Sequence, residues 1–441
     1  MTNGKVLGYL PQDRPAFGAL VSLGLQHVLT MFPATALVAI LTGFDVGVTL
    51  FTSGLATIVA ILGSGSRIPM YYGGSFAYIA PVVAVVGAEW GGHRVAQVGI
   101  VATGILNILI GLLIQRTGKE RLDRYLPPAV TGSVAIVIGV ALAKAALDMA
   151  AANWSIALLT LIVTVLFSVY LRGRGLLGML PVLLGAVVGY VLSLLTGQVS
   201  FQPVAEAAWF SVPAFQLPDF GAPGVWAAIL AIAPIAIATV PESTAHLYQV
   251  SLYIDELADE MGRPRPTIKS LIGLNLVLDG ISDMINGLLG ASSGTNYGEN
   301  NSLMAITRNY SGPVLVAAGV IAMVLAFIGK LSAIVSTLPA FVTGGLAIYL
   351  FGVIAMQGVA LIQSERVNLF DPRQLAIGSV ILVIGLGGSA FEGGNIPIWG
   401  FQLPAIATAA VAGILLNLIF LVLDRRAPAA AAEGAGVSAD D

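Results

Sequence analysis

The chain runs to 441 residues, of which 57% are hydrophobic and 10% charged, with a mean hydropathy of +0.91 and a formal net charge of −3. That composition lies outside the ordinary globular range and offers no basic excess for nucleic acid. The absence of cysteine rules out disulfides, thiolate metal sites and a cysteine nucleophile.

A short N-terminal segment (1–16) precedes a series of apolar runs, each near the roughly 20 residues needed to cross a bilayer. They begin near residues 17, 47, 71, 94, 128, 155, 175, 224, 267, 294, 313, 338, 373 and 401, which predicts an all-α polytopic membrane protein of about fourteen spans. The third and tenth runs are short and interrupted, so hydropathy alone also fits about twelve. The first run is no secretory signal: it is long, contains His27 and Pro33, and lacks a small-residue cleavage site. The stretch 198–222 has no Lys or Arg and carries Trp209 and several Phe, as an outward interfacial loop would. Residues 255–269 read as the longest inside loop, and the low-complexity tail within 425–441 reads as disordered.

Charge fixes the expected orientation. With fourteen spans and a cytoplasmic N-terminus, every one of the 20 Lys and Arg except Arg94, Lys144 and Lys330 falls inside, including Lys5, Lys119, Arg121, Arg172 and Arg174. Shifting the count by one span scrambles this bias. An even number of spans is therefore expected, with both termini cytoplasmic in the cell's inner (plasma) membrane.

A faint internal repeat accompanies the charge map. Met31-Phe32-Pro33-Ala34-Thr35-Ala36 echoes Val240-Pro241-Glu242-Ser243-Thr244-Ala245, and Gly73-Gly74-Ser75-Phe76-Ala77-Tyr78 echoes Gly294-Thr295-Asn296-Tyr297-Gly298-Glu299. Both offsets are close to half the chain. An odd number of spans per half would invert the second half, and interrupted spans at matching places in two halves point to a transporter site.

Glu242 and Glu299 stand in apolar surroundings, where an ionisable side chain costs a few kcal/mol or more and marks a functional candidate. The glycine-rich segments 71–80 and 292–300 survive in a membrane only where protein or a cavity satisfies their backbone. Meeting at mid-membrane, they would aim two helix N-termini at a ligand; close helix packing is the plainer alternative for Gly73 and Gly74. Glu242 and His246 lie four residues apart on one helix face, and Pro241 is expected to open that helix at the glutamate. Glu242 reads either as a hydrogen-bonded core residue steadied by His246 or as a ligand acceptor that exchanges the coupling proton. Asp279 and Asp283 share a single turn, unlike the facing acids of an intramembrane aspartyl protease, so structural or helix-end roles are expected. Lys144 and Asp148 should snorkel outward, and His27 should be a packed polar residue. No metal-ligand spacing, nucleotide loop or hydrolase motif occurs.

Four motifs resemble one family. TNYGENNSLMAITR resembles TTYGEN…MAITR, PESTAHL a Glu-x-x-x-His motif, GGSFAYIAP a GSSFAFISP string and LQHVLTMF a first-span opening of the nucleobase–ascorbate transporter family. The collinear similarity runs from about residue 20 to 425. It implies two inverted seven-span repeats, with short extended stretches in spans 3 and 10. A core domain (17–127, spans 1–4, and 223–335, spans 8–11) would carry the substrate. A gate domain (128–222, spans 5–7 and the outer loop, and 336–424, spans 12–14) would provide a homodimer contact and the surface for elevator-type movement.

The resemblance also places the family's substrate-binding glutamates on Glu242 and Glu299, the proton-linked histidine on His246 and the ligand-facing amides on Phe76 and Gly298, with Tyr297 beside them. Ser75 and Ala34 complete the expected substrate-lining set. The implied activity is proton-coupled import of uracil or a related pyrimidine, with no cofactor or metal. Xanthine or another purine is the alternative substrate, sodium is a less favoured coupling ion, and an anion transporter of related architecture is a further alternative. Departures border the expected pocket: Ser243 stands where the family often has a second histidine, Asn301-Ser302 replace Ile-Gly, Pro33 replaces a small residue at the first-span break, and Phe351 stands at a common tyrosine position.

Overall fold

A computed structural model describes residues 8–118, 124, 126–171, 177–178, 180–391, 394–398 and 401–426. Lys5, Lys119, Arg121, Arg172, Arg174 and the tail beyond 426 lie outside the described residues. The first half comprises α1 (Phe17–Thr42), α2 (Val46–Gly63), β1 (Tyr72–Gly74), α3 (Ile79–Val86), α4 (His93–Thr117), α5 (Pro128–Ala141), α6 (Ala143–Ala151), α7 (Trp154–Tyr170), α8 (Pro181–Leu195) and the short α9 (Gln202–Glu206). The second comprises α10 (Val225–Ile232), α11 (Ala236–Glu260), α12 (Ile272–Leu289), β2 (Gly294–Asn296), α13 (Gly298–Thr307), α14 (Gly312–Ala326), α15 (Gly329–Ser336), α16 (Ala340–Ser364), α17 (Pro372–Leu382), the hairpin β3 (Asn395–Ile398) and β4 (Phe401–Pro404), and α18 (Ala405–Arg426).

Among the described residues 8 helices are long and apolar enough to cross a membrane: Phe17–Thr42, Val46–Gly63, His93–Thr117, Pro128–Ala151, Val225–Glu260, Ile268–Leu289, Ala340–Ser364 and Ala405–Asp424. Shorter apolar helices cover Phe76–Val86, Trp154–Tyr170, Pro181–Leu195, Gly312–Ala326 and Pro372–Gly387. Two prolines expected to break their helices do not. α1 continues through Pro33 and α11 through Pro241. Each removes one backbone hydrogen bond, a loss that packed neighbours make tolerable in a membrane helix. α11 also extends to Glu260, which shortens the expected inside loop.

Lipid tails give apolar helices no hydrophobic reason to associate, so packing depends on close backbone approach through small residues. Three crossings are built on four pairs of facing glycines. A Cβ placed on Gly104 of α4 would lie 2.5 Å from the Gly280 carbonyl oxygen of α12, and one on Gly280 would lie 2.4 Å from that of Gly104. Gly54 and Gly319 relate α2 to α14 in the same way (2.3 and 2.6 Å), Gly111 and Gly273 repeat the α4–α12 contact, and Gly132 and Gly358 join α5 to α16.

The two glycine-rich segments are extended and pair antiparallel: Tyr72 with Asn296, Gly73 with Thr295 and Gly74 with Gly294. Side chains complete their hydrogen bonding. Ser53 Oγ donates to the Tyr72 carbonyl at 2.6 Å, and Thr57 Oγ1 accepts from the Tyr72 N–H at 3.0 Å. Past the strands, the Ser75 N–H bonds the Ser293 carbonyl and the Tyr297 N–H bonds the Tyr71 carbonyl. A 3₁₀ turn over Phe76–Tyr78 starts the helix after β1, and α13 starts directly after β2.

The 198–222 stretch is strapped across helix ends. Ser211 N–H bonds the Phe327 carbonyl, Gln216 N–H the Leu289 carbonyl and Asp219 N–H the Arg94 carbonyl. Lys330 caps α9, donating to the Val204 and Ala205 carbonyls, both at 2.8 Å.

Because the glycine pairs leave no room for a side chain, Gly104→Val or Gly280→Val must force α4 and α12 apart. We expect a loss of about 1–3 kcal/mol, read as a lower apparent Tm in detergent. An unchanged Tm would mean that these helices are not held by this approach.

Candidate functional site

The paired strands and the helices behind them wall a cavity of ≈ 570 Å³, within the usual range for small-molecule sites. Its lining includes Glu242, His246 and Gln249 of α11, Ser75 and Phe76 after β1, and Tyr297, Gly298, Glu299 and Ser302 around the start of α13. The opposite wall comes from one face each of α5 (Thr131, Ala135, Ile138) and α16 (Leu350, Val353, Ile354, Gln357, Leu361, Ser364). Both glutamates and the histidine therefore share a single cavity. Among the described residues no Lys or Arg lines it.

Each polar group has a local reason for its place. Glu299 lies in the first turn of α13, where the helix dipole favours a carboxylate. Glu242 and His246 follow one another by a helical turn on α11. The His246 Nδ1 lies 3.0 Å from the Asn296 carbonyl oxygen and 2.9 Å from Asn296 Oδ1. Gly298 backs onto the same imidazole: a Cβ there would come within 2.7 Å of Nε2.

Tyr297 lines the cavity but directs its hydroxyl away from it. The hydroxyl donates to the Gly74 carbonyl at 2.9 Å and lies 2.9 Å from Thr35 Oγ1. Since a carbonyl only accepts, the single phenolic hydrogen goes to Gly74 and Thr35 supplies the other. The ring rests on Gly73, where a Cβ would lie 2.6 Å from it. Tyr297 thus ties β1, β2 and α1 together.

Asp283 secures β2 from below. Its Oδ1 accepts from Ser293 Oγ at 2.6 Å and from the Gly294 N–H at 2.8 Å, while Oδ2 accepts from Asn107 Nδ2 of α4 at 3.0 Å. Asp279 and Asp283 are both buried on α12. His27 is buried as well, with its Nδ1 accepting from Asn300 Nδ2 at 3.0 Å.

Two residues expected at the pocket are elsewhere. Ala34 is buried in the core cluster with Met31 and does not line the cavity, because α1 stays helical through Pro33 and packs this face inward. Phe351 packs with Val38, Ile79 and Ala347. One residue along α16 turns the side chain by about 100°, so Leu350 reaches the cavity and Phe351 does not. Sequence reasoning missed the wall of α5 and α16, and with it Thr131 and Gln357. The available signal was a polar residue recurring at helical spacing among small and apolar ones.

Asp283→Leu would strand the Gly294 N–H, the Ser293 hydroxyl and the Asn107 amide in an apolar interior, at about 1–3 kcal/mol for each group left unpaired. Its apparent Tm should fall well below that of Asp283→Asn, which keeps an oxygen acceptor for Gly294. Equal stability of the two variants would remove Asp283 from its clamping role.

Residues 18–393 match the family model Xan_ur_permease, described as a permease family. The uracil permease of Bacillus caldolyticus is 40% identical over 420 residues, spanning 92% of this chain and 93% of that protein. That of Bacillus subtilis (strain 168) is 37% identical over 423 residues (92% and 94%). The putative pyrimidine permease RutG of Escherichia coli (strain K12) is 35% identical over 424 residues (93% and 91%). Among solved structures, the transmembrane domain of a cyanobacterium bicarbonate transporter, BicA, aligns with a TM-score of 0.58 at 14% identity, over 92% of this chain and all of that one. Murine Slc26a9, an anion transporter in the inward-facing state, aligns at 0.66 and 11% identity, over 96% of this chain and 72% of that one.

Proposed function

The chain belongs to the nucleobase–ascorbate transporter family, and from that premise we propose that it is a symporter importing uracil or a related pyrimidine with protons. It is a multi-pass membrane transporter of nucleobases and not an enzyme. One observation carries the choice of ligand: Glu242, Glu299 and His246 line one cavity that no Lys or Arg among the described residues lines. A pyrimidine-dione presents ring N–H donors and carbonyl acceptors around a flat ring. The carboxylates accept from the N–H groups, the backbone amides of Phe76 and Gly298 serve the carbonyls, and the Phe76 ring covers a face. Ser75 and Tyr297 support these groups. An anion would meet carboxylates instead of a positive site, so the anion-transporter reading is disfavoured even though the fold is shared.

Proton coupling is the reading of Glu242 and His246, one turn apart beside the ligand. Protons suit this pair better than sodium does. The division of the cavity supports elevator movement: its polar wall comes from the strands, α11 and α13 (core, 17–127 and 223–335), its largely apolar wall from α5 and α16 (gate, 128–222 and 336–424). Fourteen spans in two inverted repeats are supported by matching contacts. α4 packs on α12 and α14 on α2, both through glycine pairs, and β1 pairs antiparallel with β2. We further propose a homodimer through the gate and cytoplasmic termini in the cell's inner membrane. The cavity is large enough to keep xanthine and other purines as the second reading.

The direct test is thermal stabilisation of the purified protein by uracil, thymine, xanthine, hypoxanthine and ascorbate at two pH values. A ligand at a hundredfold excess over Kd should add about 2.7 kcal/mol. Uracil should stabilise most, and to different extents at the two pH values. Response to purines alone would change the substrate, and response to no base would overturn the assignment.

Glu299→Gln and Glu242→Gln should each weaken binding by about 1.5–3 kcal/mol, because an N–H loses a charged acceptor. Unchanged affinity would take that residue out of the site. His246→Leu should bind at acidic pH yet lose pH-dependent uptake, and a wild-type profile would refute its proton role.

A further inference from the structure

The imidazole of His246 is fixed from behind in a way that selects its tautomer. Both oxygens facing Nδ1, the Asn296 carbonyl at 3.0 Å and Asn296 Oδ1 at 2.9 Å, are acceptors. A backbone carbonyl has no donor role, so Nδ1 carries the hydrogen. The lone pair of the neutral ring is then on Nε2, beside Gly298 at the cavity wall.

The Asn296 amide is oriented in turn by Ser243, whose Oγ accepts from Asn296 Nδ2 at 2.6 Å and from Asn275 Nδ2 at 2.8 Å. Ser243 and Asn296 are both buried. Both depart from the family motifs: Ser243 stands in place of a histidine, and Asn296 in place of the threonine of TTYGEN. The two departures touch each other and, through Asn296, the histidine.

We propose that Asn296 and Ser243 are positioning residues that hold neutral His246 as its Nδ1–H tautomer, so that Nε2 accepts a hydrogen bond from a ring N–H of the bound base. This rests on the nucleobase reading. Uracil has two ring N–H groups, so Nε2 shares one of them with Glu242 or Glu299. The charged groups facing His246 are Glu242 on its own helix and Glu299 on α13, with Asp279 on α12 behind Ser243. Protonation turns Nε2 into a donor. The ring can then bond a carboxylate or a ring carbonyl of the base in place of a ring N–H, linking its proton to ligand occupancy through one atom.

The chain has only 3 histidines, so ¹⁵N-histidine NMR of the full protein in nanodiscs resolves this, with His246→Gln assigning the signals. At neutral pH His246 should show a protonated Nδ1 and a bare Nε2, with the Nε2 resonance moving on addition of uracil. Asn296→Leu removes Oδ1 and leaves only the backbone carbonyl on Nδ1, so it should raise the share of the Nε2–H tautomer and weaken uracil affinity tenfold or more. Asn296→Asp, which keeps an oxygen acceptor, should retain the Nδ1–H form. An Nε2–H tautomer in the wild type, or an Asn296→Leu protein with unchanged tautomer and affinity, overturns the proposal. A wild type with the Nδ1–H tautomer that responds to no base overturns the nucleobase as ligand and leaves the tautomer lock standing.

Discussion

The structure turns on the pairing of two three-residue strands inside an apolar interior. A backbone N–H or C=O in hydrocarbon costs several kcal/mol without a partner, and a two-stranded ribbon leaves outer edges on both sides. The neighbouring helices supply the partners: Ser53 and Thr57 of α2 on the β1 edge, Asp283 of α12 and its bond to Asn107 of α4 at the start of β2. Ser53, Thr57, Asn107 and Asp283, polar residues buried in otherwise greasy helices, are explained by this duty. They make an extended segment tolerable at a depth where only helices are otherwise stable. The helices that begin after the strands then present their free N–H groups to a common cavity.

Close approach follows from the same constraint. Ser53, Thr57 and Asp283 are short side chains, so α2, α4, α12 and α14 must come near enough to reach the strands. The glycine pairs Gly54–Gly319 and Gly104–Gly280 bring backbone against backbone. Gly73 serves another approach, leaving space for the Tyr297 ring, whose hydroxyl bonds β1 and α1. Sheet, helix packing and site geometry are one arrangement.

Much of this was legible in the sequence, and the limits have physical causes. Glu242, Glu299 and the glycine-rich segments stand out because a membrane penalises each of them, so their presence demands a use. Thr131 and Gln357 gave no such signal. One neutral polar residue on an apolar helix is inexpensive, and whether it faces lipid, a neighbour or a cavity depends on how the helices pack. Ala34 and Phe351 failed for a related reason. Ala34 was expected to line the pocket and Phe351 to border it, yet on a continuous helix each residue turns the side chain by about 100°. Pro33 and Pro241 signalled breaks that packing overrode. Local propensity marked where the backbone is weak and could not tell whether neighbours would support it.

The two walls of the cavity are chemically unlike, and that difference bears on mechanism. The side made by the strands, α11 and α13 carries directional groups, among them His246 and Tyr297 held by further hydrogen bonds and Glu299 at a helix start. The side made by α5 and α16 is mostly Ala135, Ile138, Leu350, Val353, Ile354 and Leu361, which contact by dispersion alone. Directional bonds fix a ligand to whatever carries them and resist sliding. Dispersion contacts between small apolar side chains can be exchanged for similar ones one turn away at little cost. A body that keeps its hydrogen bonds within itself can move against such a wall with its ligand still bound. Thr131, Gln357 and Ser364 are the polar exceptions on that face, and so the places where it can still discriminate among ligands.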